Sequence, residues 1–199
     1  NYSSSPTLTN VTISGNTANH AGGGMYNYSS SPTLTNVTIS GNTVTSYNGG
    51  GMYNTLSSPT LINVTISGNR AGAISGSGGG IFSYNNSYPT IKNSIFWGNT
   101  KGGSASVAYA DISASSLTIT YSLTQENSFY GTDSAIHVTS GSNPLFINAS
   151  DPDGADNVWM TADDGLNIIN YSPAYHTGTS SGAPTTDITG EARGSSRSM

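Results

Sequence analysis

The chain has 199 residues, a net charge of −5 from ten acidic and five basic side chains, and no cysteine. Those numbers exclude a disulfide framework and any cysteine metal site, and they argue against nucleic acid, whose phosphates need a basic patch. No stretch approaches the ~20 apolar residues of a membrane span, and no signal peptide opens the sequence. Charged residues make up only 8%, yet twelve tyrosines and regularly spaced apolar positions separate the chain from a disordered one.

In chain order the sequence repeats itself. Residues 1–16 read NYSSSPTLTNVTISGN, and residues 27–42 repeat the same letters. Residues 57–69 give a third copy, 89–99 a diverged fourth and 118–127 a weak fifth. Between copies stand GGGMYN at 22–27, GGGMYN at 49–54 and GGGIFS at 78–83. Pro6, Pro32, Pro59 and Pro89 mark steps of 26, 27 and 30 residues.

Within a unit, Thr-Leu-Thr and Val-Thr-Ile alternate apolar with polar, the period of a strand. β-Branched residues suit that state, and Gly-Gly-Gly, Ser-Gly-Asn and Ser-Ser-Pro supply turns. The unit predicts about three short strands: Gly-Met-Tyr, Thr-Leu-Thr and Val-Thr-Ile. One unit cannot bury its apolar side alone, whereas stacked units can. The fold class is therefore all-β, a right-handed parallel β-helix. About six coils, a rod of roughly 30 Å at the strand spacing, precede an irregular C-terminal segment. The array spans 1–147, and an acidic loop with a capping segment spans 148–199.

The inward set is Leu8, Leu34, Leu61 and Ile91, with Val11, Val37 and Val64, and with Ile13, Ile39, Ile66 and Phe96. Met25, Met52 and Ile81 line the remaining face. Asn10, Asn36, Asn63 and Asn93 share one register and predict a buried ladder of amides bonded from coil to coil. Buried sequons at Asn10, Asn36 and Asn63 would stay unmodified, leaving Asn85 as the surface candidate.

GGGMYN followed by SSPTLTNVTISGN resembles the repeats of bacterial and archaeal β-helix surface proteins, related to the chlamydial polymorphic outer-membrane-protein repeats. Gly23, Gly24 and Met25 match one motif, and Phe96–Asn99 a second. Asn143-Pro144-Leu145-Phe146, Asp163-Asp164-Gly165-Leu166, Ser172-Pro173-Ala174 and Asp187-Ile188-Thr189-Gly190 resemble the family's closing segment, with Tyr175-His176 in place of its usual Ile-Asp. The resemblance implies an extracellular or cell-surface location and an adhesive or structural role.

Residues 1–110 contain neither Asp nor Glu, so the first coils cannot supply the carboxylate pair of a glycosidase. Arg70, Lys92 and Lys101 have no acidic companion in their own coil. His20, His137 and His176 follow no zinc-ligand spacing. No nucleophile elbow or phosphate loop occurs. The chain therefore reads as non-catalytic, with no catalytic or cofactor-binding residues. A threonine column at Thr7, Thr33, Thr60 and Thr90 would suit ice, but its neighbour reads Thr9, Thr35, Ile62 and Lys92, which breaks the array.

Five of the ten acids fall within 151–164. Asp151, Asp153, Asp156, Asp163 and Asp164 predict a structural Ca2+ site, because calcium takes six to eight oxygens around a Gly turn and dense carboxylates repel without a cation. The glycine spacing is not that of an EF-hand.

The partners expected are other copies stacked end to end, because residue 1 matches mid-coil Asn27 and an open coil end propagates. Other surface polymers are the alternative, including glycans stacked on Tyr28, Tyr53, Tyr84 and Trp97. Three functional classes are separable by one observation each. A solvent-facing aromatic column favours glycan binding, a cleft with two carboxylates favours a polysaccharide lyase or hydrolase, and a featureless surface favours a structural rod or filament.

Overall fold

The computed structural model describes residues 1–72, 76–102, 111–126, 129, 131–137 and 144–193. Every element among them is a strand, and every strand pairing is parallel. The first coil holds β1 (Thr7–Ser14) and β2 (Thr17–Ala18); the second holds β3 (Met25–Tyr28), β4 (Thr33–Ser40) and β5 (Thr43–Val44). The third holds β6 (Met52–Thr55) and β7 (Thr60–Ser67); the fourth holds β8 (Ile81–Tyr84), β9 (Thr90–Lys92) and β10 (Ile95–Trp97). β11 (Ile112–Ala114), β12 (Leu117–Thr124) and β13 (Gly131–His137) complete the stack.

Three parallel sheets run up the rod. The longest follows β1-β4-β7, then β9 and β10, then β12 and β13; the second runs β3-β6-β8-β11; the shortest pairs β2 with β5. Register follows the repeat: Leu8 faces Leu34 and Leu34 faces Leu61, while Met25 faces Met52 and Met52 faces Ile81. The complete cross-section recurs over about four turns rather than six, because the second sheet has four rungs while the longest continues past it.

The number of strands per coil is about three, as expected, but their identity differs. Thr-Leu-Thr and Val-Thr-Ile are one eight-residue strand, not two. Asn10, Asn36 and Asn63 sit at its middle with φ of 54°, 52° and 55°. Asparagine tolerates this left-handed region, so each bends its strand onto a second face without ending it. The third strand is instead the two-residue Thr-x stretch of β2 and β5.

The interior is the set predicted from the repeat. Leu34, Leu61, Ile91, Val37, Val64, Ile39, Ile66, Phe96, Met52 and Ile81 are buried, and Leu8, Val11 and Ile13 pack against them from the first coil. Each such side chain contributes about 1.5–3 kcal/mol when fully buried, and each turn adds several of them. Prolines begin the long strands without loss, since their carbonyls still accept: Thr33 N–H bonds Pro6 O at 3.0 Å and Thr60 N–H bonds Pro32 O at 2.9 Å.

Candidate functional site

Alternation along β3, β6 and β8 sends Met or Ile inward and the next residue outward. The outward residue is Tyr26, Tyr53 and Phe82 in successive coils. Their rings stack: Tyr26 on Tyr53 with centroids 5.1 Å apart and planes 2° apart, Tyr53 on Phe82 at 5.4 Å and 21°. Phe82 also meets Tyr84 at 6.4 Å, and Tyr2 stacks on Tyr28 at 4.6 Å. Nearly parallel rings at this centroid distance are in the range of offset-stacked aromatic pairs. Tyr26 is 40% exposed and Tyr84 58%. Burial is the main cause that raises the Tyr53 phenol above its ordinary value, with Tyr26 and Tyr84 adding to it. Three of the four predicted stacking residues, Tyr28, Tyr53 and Tyr84, lie on this face. Trp97 does not; it packs on the longest sheet beside Ile95 and Leu123.

Two asparagine ladders run through the rod, and neither is the predicted one. Asn27 Nδ2 donates to Asn54 Oδ1 at 2.8 Å, and Asn54 Nδ2 donates to Ser83 Oγ at 3.1 Å. The second uses the Asn of each Ser-Gly-Asn turn. Asn16 Nδ2 donates to Asn42 Oδ1 at 2.9 Å, Asn42 to Asn69 at 3.0 Å and Asn69 to Asn99 at 2.9 Å. Both columns follow the repeat, so sequence alone does not separate them from the bend column.

The bend column serves another purpose. Asn36, Asn63 and Asn93 are buried, as expected, whereas Asn10 is exposed. Asn36 Nδ2 donates to Asn10 Oδ1 at 3.1 Å, the one link of the predicted ladder found there. These amides mainly hold the C-terminal segment against the rod. Asn93 exchanges two bonds with Thr179, donating to its carbonyl at 2.8 Å and accepting from its N–H at 2.9 Å. Asn36 Nδ2 donates to Thr186 O at 3.1 Å, and Lys92 Nζ donates to Ser181 O. The Asn63 amide, with its oxygen toward the guanidinium, accepts from Arg193 Nε and Nη2 at 3.1 Å. The segment thus begins beside Ile95, Leu123 and Ala174 and returns along the coils toward Asn36.

Between this C-terminal segment, a strap along the coils, and the longest sheet lies a cleft of about 640 Å³. Val37, Thr38, Thr65 and Ile95 line it from the sheet, and Leu166, Ile168, Tyr175, Asp187, Glu191 and Arg193 line it from the strap. Sequence reasoning missed it, because no periodicity predicts where a non-repeating segment folds back. Asp187 closes the turn beneath it: its Oδ1 accepts from Thr189 N–H at 2.9 Å, Thr189 Oγ1 at 2.7 Å and Glu191 N–H at 3.0 Å.

The predicted calcium ligands occupy a run of turns. Asp164 is buried and accepts from Met160 N–H at 2.9 Å and Thr161 N–H at 3.2 Å. Asp163 and Asp164 share the Thr161 hydroxyl at 2.8 and 3.1 Å. That hydroxyl is the chief cause holding the Asp163 carboxyl below its ordinary value. Asp156 accepts from Val158 N–H at 2.8 Å, and its N–H reaches Asp163 Oδ2 at 3.4 Å. Asp151 and Asp153 are half-buried and make no side-chain hydrogen bond among the described residues. Among the described residues no three His, Cys, Asp or Glu side chains form a group that would hold a metal ion. His20 stacks on Tyr47 and His176 on Tyr175; the side chain of His137 lies outside the described residues. Asn85 is exposed in its turn.

No curated protein and no solved structure matches the chain. The family model of the right-handed β-helix region matches residues 1–172, which include every strand described above, and the chain belongs to that family.

Proposed function

We propose that the protein is a non-catalytic, extracellular rod that adheres to neutral glycans along its aromatic face. The observation that carries this reading is the column Tyr26–Tyr53–Phe82, held to one side of the rod by the coil repeat. Aromatic faces in register offer apolar platforms to the C–H faces of sugars, and hydroxyls beside them offer hydrogen bonds. Residues 1–69, which supply Tyr26 and Tyr53, contain no Asp, Glu, Lys or Arg side chain. A neutral polymer therefore suits it better than an ionic one.

The cleft beneath the strap does hold two carboxylates, the feature that would favour an enzyme. Asp187 speaks against that role, because one of its oxygens already takes three donors from its own turn. The residue is used to shape the strap rather than to flank a scissile bond. A calcium ion bound by the turns at 151–164, securing the loop to the last coil, is part of the same proposal.

Affinity electrophoresis through gels containing cellulose derivatives, xylan, mannan or an α-glucan tests the glycan reading. The wild type is expected to be retarded by at least one neutral polysaccharide, and Tyr53→Thr is expected to run free while keeping its melting cooperativity. Retardation by none, or equal retardation of both proteins, overturns the assignment to this face.

A further inference from the structure

Thr38 points away from the core and is nevertheless buried. Its neighbours Val37 and Ile39 pack inward, so alternation turns Thr38 to the outer side of the longest sheet. There it is 9% exposed, and it lines the cleft opposite Ile188, Thr189 and Glu191 of the strap. The strap, residues 175–193, is its cover.

That cover is lightly fastened. No residue from 175 to 193 is buried; the last buried apolar side chain before it is Ala174. Among the described residues the strap's backbone hydrogen bonds stay within 172–193: Tyr175 N–H to Ser172 O, Ala183 to Ser180, Asp187 to Glu191, Gly190 to Asp187 and Arg193 to Thr185. Its bonds to the rod among those residues run through side chains, pairing Asn93 with Thr179, Lys92 with Ser181, Asn36 with Thr186 and Asn63 with Arg193. Between cover and sheet stands a cleft of about 640 Å³, where packed side chains would otherwise join them.

The closed arrangement also leaves polar atoms dry. Asn36 Oδ1 is buried with no hydrogen-bond partner. Its Nδ2 donates to Asn10 Oδ1 and Thr186 O, both at 3.1 Å, so reversing the amide would set oxygen against both acceptors. Thr12, which faces Thr38 in register, has a buried hydroxyl that is likewise unpartnered. A dry polar atom costs free energy that hydration would return.

We propose that the strap is a lid that swings off the folded rod and returns, hinged between Ala174 and Thr179. Ala174, packed with Ile95 and Leu123, anchors the fixed side. Thr179, clasped by Asn93, begins the moving side, and His176 at φ 59° and Gly178 lie between them. Such local opening needs no loss of the core. It uncovers Thr38 and the amides of Asn36, Asn63 and Asn93, one per coil, each then able to bond an extended backbone as Asn93 bonds Thr179. The lid lies on a different sheet from the aromatic column and does not rest on the glycan reading.

The chain has no cysteine, so an introduced thiol reports a single site. Full-length Thr38→Cys, under the lid, is compared with Val64→Cys in the core, 1% exposed, and with Thr9→Cys, exposed on the same sheet. Each is reacted with Ellman's reagent in increasing urea. The Thr38 thiol is expected to react far more slowly than the Thr9 thiol. It is expected to react about tenfold or more faster than the Val64 thiol, and with a weaker urea dependence, because lifting the lid exposes less surface than unfolding. Adding Asn93→Gly deletes the clasp on Thr179 and suits the φ of 50°; it is expected to speed the Thr38 thiol by roughly tenfold. Lys92→Met, which deletes the bond to Ser181, is expected to speed it several-fold. Equal rates and urea dependence at Thr38 and Val64 would mean that nothing opens short of unfolding. A Thr38 thiol as fast as Thr9 would mean that the strap is no cover. A Thr38 rate unmoved by the tie variants would mean that the ties do not hold it. Each of these overturns the proposal. If Asn93→Gly fails to fold, Lys92→Met, a change at a half-exposed side chain, still decides.

Discussion

Asn99 donates its side-chain amide to Asp111 Oδ1 at 2.8 Å, and Asp111 occupies the register of a glycine. The residue before Met25, Met52 and Ile81 is Gly24, Gly51 and Gly80; before their counterpart Ile112 it is Asp111. In the earlier coils a Cβ at that glycine would lie 3.1–3.2 Å from the neighbouring ladder amide. In the last coil the side chain returns, and its carboxylate takes the place of the next amide. Asp111 Oδ2 also accepts from Gln125 N–H at 2.9 Å and Thr124 Oγ1 at 3.1 Å, so this one residue ends the ladder on an acceptor.

Asp111→Gly would restore the residue that the column otherwise uses, yet it is expected to destabilise the rod. The Asn99 amide, the Gln125 N–H and the Thr124 hydroxyl would lose their shared acceptor. Leaving buried donors unpaired costs about 1–3 kcal/mol for the group most affected. Urea denaturation should show the midpoint fall by a corresponding amount. A midpoint equal to the wild type would mean that the glycine column, not the ladder, governs this end.

The same carboxyl sets a pH dependence. Burial pushes the Asp111 pKa above its ordinary value of 3.8, against the lowering effect of its hydrogen bonds from Asn99, Gln125 and Thr124. The folded chain thus holds this proton more tightly than the unfolded chain. Its stabilising contribution is fully present below 3.8 and is lost as pH rises through the raised folded-state value. Asp163 behaves oppositely: its pKa lies below 3.8, so its contribution is present above 3.8 and is lost as pH falls through the lower folded-state value. The two windows lie on either side of 3.8. Melting temperature should rise as pH falls from neutrality toward that value, and Asp111→Gly should flatten the rise. A flat wild-type profile would contradict the assignment.

The repeat made the rod legible because both fold and repeat are periodic. Leu34, Val37, Ile39 and Met52 are placed correctly by alternation and by copy-to-copy identity alone. The same periodicity misled on asparagine. Asn36 and Asn42 recur with equal regularity, and only backbone geometry separates them: φ of 52° at Asn36 turns the strand, while the turn at Gly41 brings Asn42 against Gly24. The role of Asp111 as the substitute for a ladder amide was not legible, since it needs the register of Ile81 with Ile112. The cleft depends on residues about 150 positions apart, Asn36 and Thr186, and no local pattern joins them. The aromatic face was legible for Tyr28, Tyr53 and Tyr84, whereas Trp97 follows the strand after Asn93 to a different sheet.

Calcium is expected to raise the melting temperature and to release or absorb heat on titration. Asp151 and Asp153 are the residues to change, because Asp163 and Asp164 already cap backbone N–H groups of their own turns. Asp153→Asn should remove the calcium response without altering the ion-free protein. No heat and an EDTA-insensitive melting point would remove the ion from the proposal.

Glycines in the repeat differ in what they tolerate. A Cβ on Gly51 would lie 2.7 Å from Gly80 O and 3.2 Å from the Asn69 side chain, both in the packed interior. Gly41 has φ of 64° and only Gly15 N at 3.9 Å. Gly51→Ala should therefore cost more than about 2 kcal/mol through overpacking. Gly41→Asn should cost under about 1 kcal/mol, since Asn accepts the left-handed region. Equal midpoints in denaturant would show that space at Gly51 is not limiting.

The ladder's depth gives the last comparison. Asn69 is fully buried; its Oδ1 accepts from Asn42 N–H at 2.9 Å and Asn42 Nδ2 at 3.0 Å. Its Nδ2 donates to Asn99 Oδ1 and to Ile39 O, each at 2.9 Å. Asn69→Ala removes these four bonds and a fifth from Nδ2 to Ser67 O at 3.2 Å, and about 3 kcal/mol or more is expected to be lost. Asn16 is exposed, and its amide donates to Asn42 Oδ1, which still accepts from the Asn16 N–H at 3.0 Å after truncation. Asn16→Ala should cost under about 1 kcal/mol. Calorimetric melts of both variants measure the gap. A gap near zero would show that the stacked apolar side chains hold the coils together without help from the amides.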